Sequence, residues 1–306
     1  MAISTFYSNG KLLITGEYVV LDGAKSLALP TKFGQNLTIE EVDSNQLIHW
    51  VSYDHDGSIW FEATIPFSSI IEKKGIDEVH NIKKTLIEIL HEAYKLNSNF
   101  ITESRGYKVT TELTFPKFWG LGTSSTLINN IAQWLDIDAY VLLKNSFGGS
   151  GYDLACAQNN SAIIYQLVDE KPVVETIAFH PDFTSKIHFV YLNKKQSSKE
   201  AIALYLEKRG AINDSIEVIN QITQTVARAP EVNEFAKAIQ THEIEMSVIL
   251  ELPTVKETLF SDFDGIVKSL GAWGGDFVMV ISKDDPTHYF NQRGYTIVVP
   301  YEDMIL

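Results

Sequence analysis

The first third of the chain alternates short apolar runs with turn residues. Residues 11–42 carry apolar runs that are broken at Asp22 and Gly23, and an Asp-Gly pair between apolar segments predicts a hairpin. Aromatic and β-branched residues alternate with polar ones over residues 47–71, around Asp56 and Gly57, which predicts a second hairpin. The pattern therefore predicts a β-rich opening.

Helical spacing first appears in residues 79–96. Ile82, Leu86 and Leu90 fall on one face of this stretch, which predicts an amphipathic helix packed against a sheet. The elements that follow are predicted from the same periodicities: a strand over residues 107–115, helices over residues 126–135 and 138–145, an apolar segment after residue 148, and a strand over residues 161–168.

A second series of elements begins near residue 186. Strands are predicted over residues 186–193, 274–282 and 295–301, and helices over residues 198–209, 212–228, 230–250 and 261–271. Helices and strands that are mixed in this way predict an α+β protein. We expect two domains, an N-terminal one over residues 1–185 and a C-terminal one over residues 186–306.

Composition and charge narrow the class of protein. The chain has 306 residues with 45% hydrophobic content, enough for substantial buried cores. Cys156 is the single cysteine, so a disulfide framework is excluded and a Cys/His zinc site is disfavoured. The formal net charge of −14 repels nucleic acid. Residues 1–13 do not resemble a signal peptide and no stretch of about 20 apolar residues occurs, so we expect a soluble, cytoplasmic protein without a membrane partner.

A glycine and hydroxyl motif, FWGLGTSST, occupies residues 118–126. Glycines allow close backbone approach to a ligand, and a following helix start presents N–H groups to phosphate. The hydroxyl side chains can also coordinate Mg²⁺, which prefers oxygen ligands. The alternative is an ordinary capped helix start, because Ser and Thr are common N-caps. The motif is not a Walker A loop, since the G-x-x-x-x-G-K-[ST] pattern is absent.

Two further segments combine glycine with groups that bear chemistry. In GGSGYDLACA, residues 148–157, Asp153 can orient or deprotonate a hydroxyl, or it can serve as a helix N-cap. In SLGAWGGDFVMVIS, residues 269–282, we expect a helix to turn into a strand through three glycines. Gly271 can be a simple C-cap there, but three glycines exceed what one cap needs and allow a ligand to approach the backbone.

Together with GKLLITGEYVVLDG near the start, these segments resemble the motifs of the GHMP kinases. That superfamily contains galactokinase, homoserine kinase, mevalonate kinase and phosphomevalonate kinase. The order is the same: the N-terminal motif, P-x-x-x-G-L-G-[ST]-S in the middle and G-A-x-G-G near the end. The segments GSGYDLA and GGD are most similar to the phosphomevalonate kinase branch.

The resemblance implies a two-domain α+β fold, with a left-handed βαβ unit in the N-terminal domain and a ferredoxin-like C-terminal domain. It also implies ATP and Mg²⁺ as cofactors. Asp153 would act as the catalytic base, Lys11 as its cationic partner and Ser124 as the metal ligand. The ATP phosphates would be wrapped by Gly120, Leu121, Gly122, Thr123, Ser124 and Ser125.

The family pattern also implies which residues meet the phosphoryl acceptor. These are Glu17, Tyr18, Ser150, Gly151, Lys194, Ser197, Gly271, Gly274 and Gly275. Taken alone, Lys11 can be a surface lysine and Tyr18 a core aromatic residue, and the hydroxyls and lysines of residues 194–199 can form a solvated turn with an N-cap.

The sequence departs from the family pattern in three places. Only 28 residues separate Ser124 from Asp153 and none is glutamate, whereas mevalonate kinase has a magnesium-binding glutamate in that interval. Trp273 replaces a glycine in the last motif, and Ser125 and Thr126 stand where alanines are usual.

The resemblance predicts an ATP-dependent kinase for a small-molecule acceptor, mevalonate or phosphomevalonate. Two alternatives stay open: a non-catalytic sensor or binding protein of the same fold, and a diphosphomevalonate decarboxylase. A homodimer also stays open.

Overall fold

The structure, a computed structural model, describes residues 3–73, 82–195, 198–208, 210 and 213–306. The chain divides into two compact units. The first unit comprises Met1–Gly10, Phe33–Lys117 and Gly122–Gln158, and the second comprises Lys11–Lys32, Phe118–Leu121 and Asn159–Leu306. The two compact units are defined by the density of contacts within each, whereas a domain is defined by its ability to fold independently. The domain boundary predicted between residues 185 and 186 therefore stays a prediction.

Strands and helices are mixed along the chain. The strands are β1 (Ile3–Leu13), β2 (Ser26–Glu41), β3 (Leu47–Tyr53), β4 (Ile59–Pro66), β5 (Gly106–Leu113), β6 (Ile163–Val168), β7 (Lys171–Thr176), β8 (Ile187–Tyr191), β9 (Ile266–Leu270), β10 (Phe277–Ile281) and β11 (Val298–Pro300). The helices are α1 (Phe67–Glu72), α2 (Ile82–Leu96), α3 (Asn99–Thr102), α4 (Thr123–Leu135), α5 (Ala139–Ser146), α6 (Tyr152–Gln158), α7 (Ser198–Lys208), α8 (Asn213–Arg228), α9 (Val232–Leu250), α10 (Val255–Leu259), α11 (Thr287–Asn291) and α12 (Tyr301–Met304).

A mixed sheet organises the first unit, with the strand order β4-β3-β5-β2. The β3–β4 pair is antiparallel and the β3–β5 pair is parallel. The hairpin predicted at Asp56 and Gly57 is confirmed, because Gly57 takes a positive φ of 80° in the turn between β3 and β4.

Helices α2, α4 and α5 share one apolar core with this sheet. The amphipathic helix predicted for residues 79–96 is confirmed from Ile82 to Leu96, and Leu86 and Leu90 on its apolar face are buried. Trp50 of β3 and Ile131 of α4 belong to the same core. Burial of each such side chain stabilises the fold by about 1.5–3 kcal/mol.

The second unit contains an antiparallel sheet with the strand order β11-β8-β10-β9. Both β8 and β10 are buried along their whole length, which explains the unbroken apolar sequence of β10 and the mostly apolar sequence of β8, where His188 is the exception. In the same unit the start of β2, Ser26 to Ala28, pairs with β6, and β6 pairs with β7. The prediction of a mixed α+β fold is confirmed.

The tight hairpin turn predicted at Asp22 and Gly23 is wrong, although the strands on either side of this segment, β1 and β2, do pair with each other. Residues Val19–Asp22 form a 3₁₀ turn that ends at Gly23. Val19 and Val20 are buried within this turn. A hydrogen bond from Val20 N–H to Gly16 O, at 3.0 Å, closes the backbone at its start.

The helix predicted for residues 261–271 is also wrong, because residues Ile266–Leu270 form strand β9, with Lys268 opposite Met279 of β10. The apolar residues Ile266, Val267 and Leu270 have helical spacing, and a lysine at a buried position hides the strand pattern. The segment of residues 271–276 is therefore a turn between two strands, and Gly271 is not a helix C-cap.

Strand β7 was not predicted. Its residues are exposed on both faces, so it lacks the alternation that marks a half-buried strand. Among the described residues, no helix is long and apolar enough to cross a membrane.

Candidate active site

The first half of the glycine motif, Phe118–Leu121, belongs to the second unit. Gly120 has a φ of 70°, and a Cβ added there would lie 2.3 Å from Asp276 Oδ2. Both the backbone conformation and the space therefore require glycine. Lys11 lies against this segment: its N–H donates to Leu121 O at 3.0 Å, and its Nζ donates to Gly120 O at 3.4 Å.

Aromatic contacts hold this segment against the antiparallel sheet of the second unit. The Trp119 ring meets Phe277 edge-on, with ring centroids 5.3 Å apart. Tyr191 donates its hydroxyl to Phe118 O at 3.1 Å. A backbone that is fixed on a packed sheet is suited to present a rigid binding loop.

The second half of the motif opens helix α4 in the first unit. Its N-cap is Gly122, at a φ of 98°, so none of the four hydroxyl residues caps the helix with its side chain. Ser125 donates its hydroxyl to Gly122 O at 2.9 Å, and Thr126 donates to Gln35 Oε1 at 2.8 Å. The ordinary capped start offered by the sequence is therefore not what these residues form.

Thr123 and Ser124 differ from the two hydroxyl residues that follow them. They are partly exposed, and neither side chain makes a hydrogen bond within the part of the chain that the structure describes. The backbone N–H groups of the first helical turn have no partner inside the helix. This turn has no acidic residue, so the helix dipole favours an anion there.

Asp153 lies in the first turn of α6, directly after the loop that contains Ser150 and Gly151. Gly151 has a φ of 89°, and its carbonyl accepts from Leu154 N–H at 3.0 Å. Asp153 is thus inside the helix and is not its N-cap. Its side chain is partly exposed.

Helices α4 and α6 pack against each other within the first unit. Gln158 Nε2 near the end of α6 donates to Asn129 Oδ1 of α4 at 3.0 Å. The structure therefore carries Ser124 and Asp153 on neighbouring helices of one rigid core.

Tyr18 and the last glycine motif meet in the second unit. The backbone N–H of Trp273 donates to the Tyr18 hydroxyl at 2.7 Å, and the Trp273 indole donates to Pro253 O at 3.1 Å. Burial raises the pKa of Tyr18 to about 12, so the phenol stays protonated at neutral pH. The Tyr18 oxygen accepts the hydrogen bond from Trp273 N–H, and the phenol proton can be donated to another group.

The turn of residues 271–276 is open above two of its glycines. Gly271 and Gly274 have φ values of 72° and 74°, and no described atom lies within 4 Å of a Cβ added to either. Asp276 N–H donates to Lys194 O at 2.7 Å, which places the backbone of Lys194 beside this turn, with its side chain exposed. Ser197, predicted to meet the acceptor, lies outside the described residues.

A buried cluster of ionisable side chains was not predicted. Lys268 Nζ contacts Glu17 Oε1, and His242 Nε2 lies 3.4 Å from Glu17 Oε2. Glu243 accepts from Ser269 N–H at 3.2 Å. Burial raises the pKa of Glu17, although the Lys268 ammonium opposes this, and burial raises the pKa of Glu243 to about 7. Burial and the Lys268 charge hold the pKa of His242 well below its ordinary value.

Among the described residues, no group of three or more His, Cys, Asp or Glu side chains could hold a metal ion. The uncommitted hydroxyl of Ser124, at the start of α4, fits a metal that takes most of its ligands from a nucleotide and water. The predicted pairing of Lys11 with Asp153 stays a prediction.

The fold is similar to that of several solved kinases. Mevalonate kinase from Methanococcus jannaschii matches with a TM-score of 0.69 at 13% identity, over 97% of this chain and 96% of that one. Streptococcus pneumoniae phosphomevalonate kinase, in complex with phosphomevalonate and AMPPNP, matches with a TM-score of 0.68 at 16% identity, over 95% and 96%. Lactococcus lactis galactokinase, complexed with galactose, matches with a TM-score of 0.65 at 13% identity, over 97% and 93%.

Comparison by sequence does not add to this similarity. No protein-family model matches the chain. No curated protein matches it either. The resemblance drawn from the three motifs is confirmed as one of fold, which the chain shares with these solved kinases.

Proposed function

We propose that the protein transfers the γ-phosphoryl group of ATP to a hydroxyl or phosphate of a small molecule, mevalonate or phosphomevalonate. The observation that supports this most is the start of α4. Two glycines with positive φ precede it, its first turn carries no acidic residue, and Ser124 has an uncommitted hydroxyl. A helix start of this kind favours a phosphate group.

ATP fits the segment from Gly120 to Ser125. The N–H groups of the first turn of α4 bind phosphate oxygens, and the Ser124 hydroxyl is the protein ligand for Mg²⁺. When bound, Mg²⁺ neutralises charge on the phosphates. Lys11, beside Gly120, adds a positive charge next to the phosphate-binding segment.

Asp153 orients the acceptor and, where the acceptor is a hydroxyl, accepts its proton. Phosphoryl transfer needs little covalent chemistry from the protein, so positioning and charge dominate. The place of Asp153 on a helix that packs against α4 gives this carboxylate a rigid support.

We propose that the acceptor binds against Tyr18, Lys194 and the glycines of residues 271–275 in the second unit, and the contacts implied for Ser150 and Gly151 stay predictions. Tyr18 stays protonated because burial raises its pKa to about 12, so it donates to a carboxylate or phosphate oxygen. The solved neighbours include kinases in complex with phosphomevalonate and with galactose, so the acceptor must be identified by assay.

ATP consumption measured against mevalonate, phosphomevalonate, homoserine and sugars tests the proposal. We expect turnover with one of the mevalonate compounds, and a loss of about 10²-fold or more in kcat for Asp153→Asn with nucleotide binding retained. Nucleotide binding without turnover on any acceptor would identify a sensor. Release of carbon dioxide from diphosphomevalonate would identify a decarboxylase.

A further inference from the structure

The backbone at Tyr18 is strained. Its φ of 63° and ψ of −53° are unusual for a bulky residue, and Val19 N–H donates to Glu17 O at 2.7 Å across it. This is a γ-turn of the rare form with positive φ. Such a conformation persists only where the surrounding structure determines it, and it occurs mostly at functional sites.

Buried side chains fix the two residues before Tyr18. His242 Nε2 accepts from Gly16 N–H at 2.8 Å, so this nitrogen carries no proton and the imidazole is neutral. The Glu17 carboxylate is held by the Lys268 ammonium, with both side chains almost fully buried. The segment before the γ-turn is therefore attached to α9 through His242 and to β9 through Lys268.

The same cluster fixes the strand that leads into the glycine turn. β9 is an edge strand of its sheet, and both the backbone N–H and the backbone C=O of Ser269 form hydrogen bonds with side chains of the cluster. Lys268 Nζ donates to Ser269 O at 2.7 Å, and Glu243 accepts from Ser269 N–H at 3.2 Å. Gly271 follows two residues later, so one cluster sets the position of both the γ-turn and the glycine turn.

The cluster is poorly explained as a device for stability. Glu17 Oε2, His242 Nδ1 and Ser269 Oγ are buried without a hydrogen-bond partner among the described residues. Unpaired buried polar atoms destabilise a fold, and a buried ion pair contributes little net stability compared with apolar side chains. A function in positioning accounts for the presence of such a cluster.

We infer that Glu17, Lys268 and His242 are positioning residues, which hold Tyr18 so that its hydroxyl fixes the glycine turn at Trp273. Glu17 then contacts Lys268 and not the phosphoryl acceptor, which revises the role implied by the family resemblance. The inference rests on the proposed function for the consequence in turnover, but the positioning itself is a physical property of the second unit.

The test uses a double variant, Glu17→Gln with Lys268→Met. It removes both charges of the Glu17–Lys268 pair together, so neither is left without its partner, but it also removes the contact. Phe290→Leu is the matched control, because Phe290 is buried in the second unit and belongs to the apolar core that contains Val267 and Val280, not to the cluster of ionisable side chains. Denaturant or temperature is chosen so that both variants have the same unfolding free energy.

Exchange of the Trp273 backbone N–H reports the turn directly. Selective ¹⁵N-tryptophan labelling gives five backbone amide signals, and Trp273→Phe assigns the one of interest. We expect the Trp273 amide to exchange about tenfold faster or more in the double variant than in Phe290→Leu. Equal exchange in the two variants overturns the inference. Should the double variant not fold, Glu17→Asp retains both charges but moves the carboxylate away from Lys268 by one methylene, and we expect it to shift exchange in the same direction.

Kinetics tests the consequence for turnover. We expect kcat/KM for the acceptor to fall by about tenfold in the double variant while the dissociation constant for AMPPNP stays within about twofold. Unchanged kcat/KM with faster exchange would show that the turn has no positioning role. If the unmodified protein phosphorylates no acceptor, the proposed function fails, and the exchange comparison still decides whether the cluster holds the turn.

Discussion

Gly120 carries two constraints at one residue, a positive φ and contact with Asp276. We predict that Gly120→Ala lowers the unfolding free energy by about 1–3 kcal/mol and abolishes nucleotide binding, because the backbone must relax or the Asp276 side chain must move. Denaturant unfolding and calorimetric titration with AMPPNP measure the two effects.

Gly57→Ala separates the two constraints. Gly57 has a φ of 80°, but no described atom lies within 4 Å of its added Cβ. This variant should lose only the conformational part of the stability, about 1–2 kcal/mol, and should bind nucleotide normally. Equal losses of unfolding free energy in Gly120→Ala and Gly57→Ala would mean that the Asp276 side chain moves away from the added Cβ at no cost in free energy.

Glu243 should give the protein a characteristic pH dependence. Burial raises the pKa of Glu243 to about 7 from its ordinary value of 4.5, so the folded protein retains a proton that the unfolded chain releases between these pH values. The unfolding free energy therefore falls as pH rises through this window. In wild type we expect the unfolding free energy to fall by about 1–3 kcal/mol across this window, and in Glu243→Gln this fall should be absent. Denaturant unfolding from pH 4 to pH 8 measures both.

Glu257 provides a control of opposite sign. Hydrogen bonds from Thr254 lower the pKa of Glu257 in the capping box of α10, so its contribution to stability is lost as pH falls. Glu257→Gln should leave the fall between pH 4.5 and 7 intact. The same slope in wild type and Glu243→Gln would contradict the assignment to Glu243.

At the scale of elements, helix α2 shows how strongly one face stabilises the first unit. Leu90 is fully buried, whereas Ile82 on the same helix is 48% exposed. We predict that Leu90→Ala lowers the unfolding free energy by about 2–5 kcal/mol, because it removes apolar contacts and leaves a cavity. Ile82→Ala should change it by less than about 0.5 kcal/mol. Chemical denaturation of both variants measures the difference.

The same contrast explains which elements could be predicted. Helix α2 and strand β10 were predictable because their burial follows a simple period in the helix and an unbroken apolar run in the strand. Strand β9 was not, because Lys268 occupies a buried position where the pattern requires an apolar residue. Strand β7 has no buried face at all, so its sequence carries no alternation.

At the scale of the whole molecule, the site divides into parts that are local in sequence and parts that are not. The glycines and hydroxyls of residues 120–125 act through their own backbone, so their chemistry is visible in a short motif. The contact of Glu17 with Lys268 joins residues 251 positions apart, and that of Gly16 with His242 joins residues 226 positions apart. A single sequence contains no signal for such pairs, and the partners look like ordinary surface charges.

Nucleotide should stabilise the whole protein in two steps that can be measured separately: a nucleotide step on binding AMPPNP and a Mg²⁺ step when the metal is added. A ligand that binds only the folded state adds about 2.7 kcal/mol at a hundredfold excess over its dissociation constant. We predict that AMPPNP raises the unfolding temperature of wild type and that Mg²⁺ raises it further. In Ser124→Ala the nucleotide step should remain while the Mg²⁺ step is lost, because the backbone N–H groups of α4 are unchanged.

Ser125→Ala is the matched control for this experiment. The Ser125 hydroxyl already donates to Gly122 O at 2.9 Å, so its removal changes the start of α4 without removing an uncommitted oxygen. It should lower the unfolding temperature without ligand and retain the Mg²⁺ step. Only the hydroxyl that binds the metal makes the stability of the nucleotide complex depend on Mg²⁺. If the Mg²⁺ step survives in Ser124→Ala but disappears in Ser125→Ala, the metal ligand is therefore Ser125 and not Ser124.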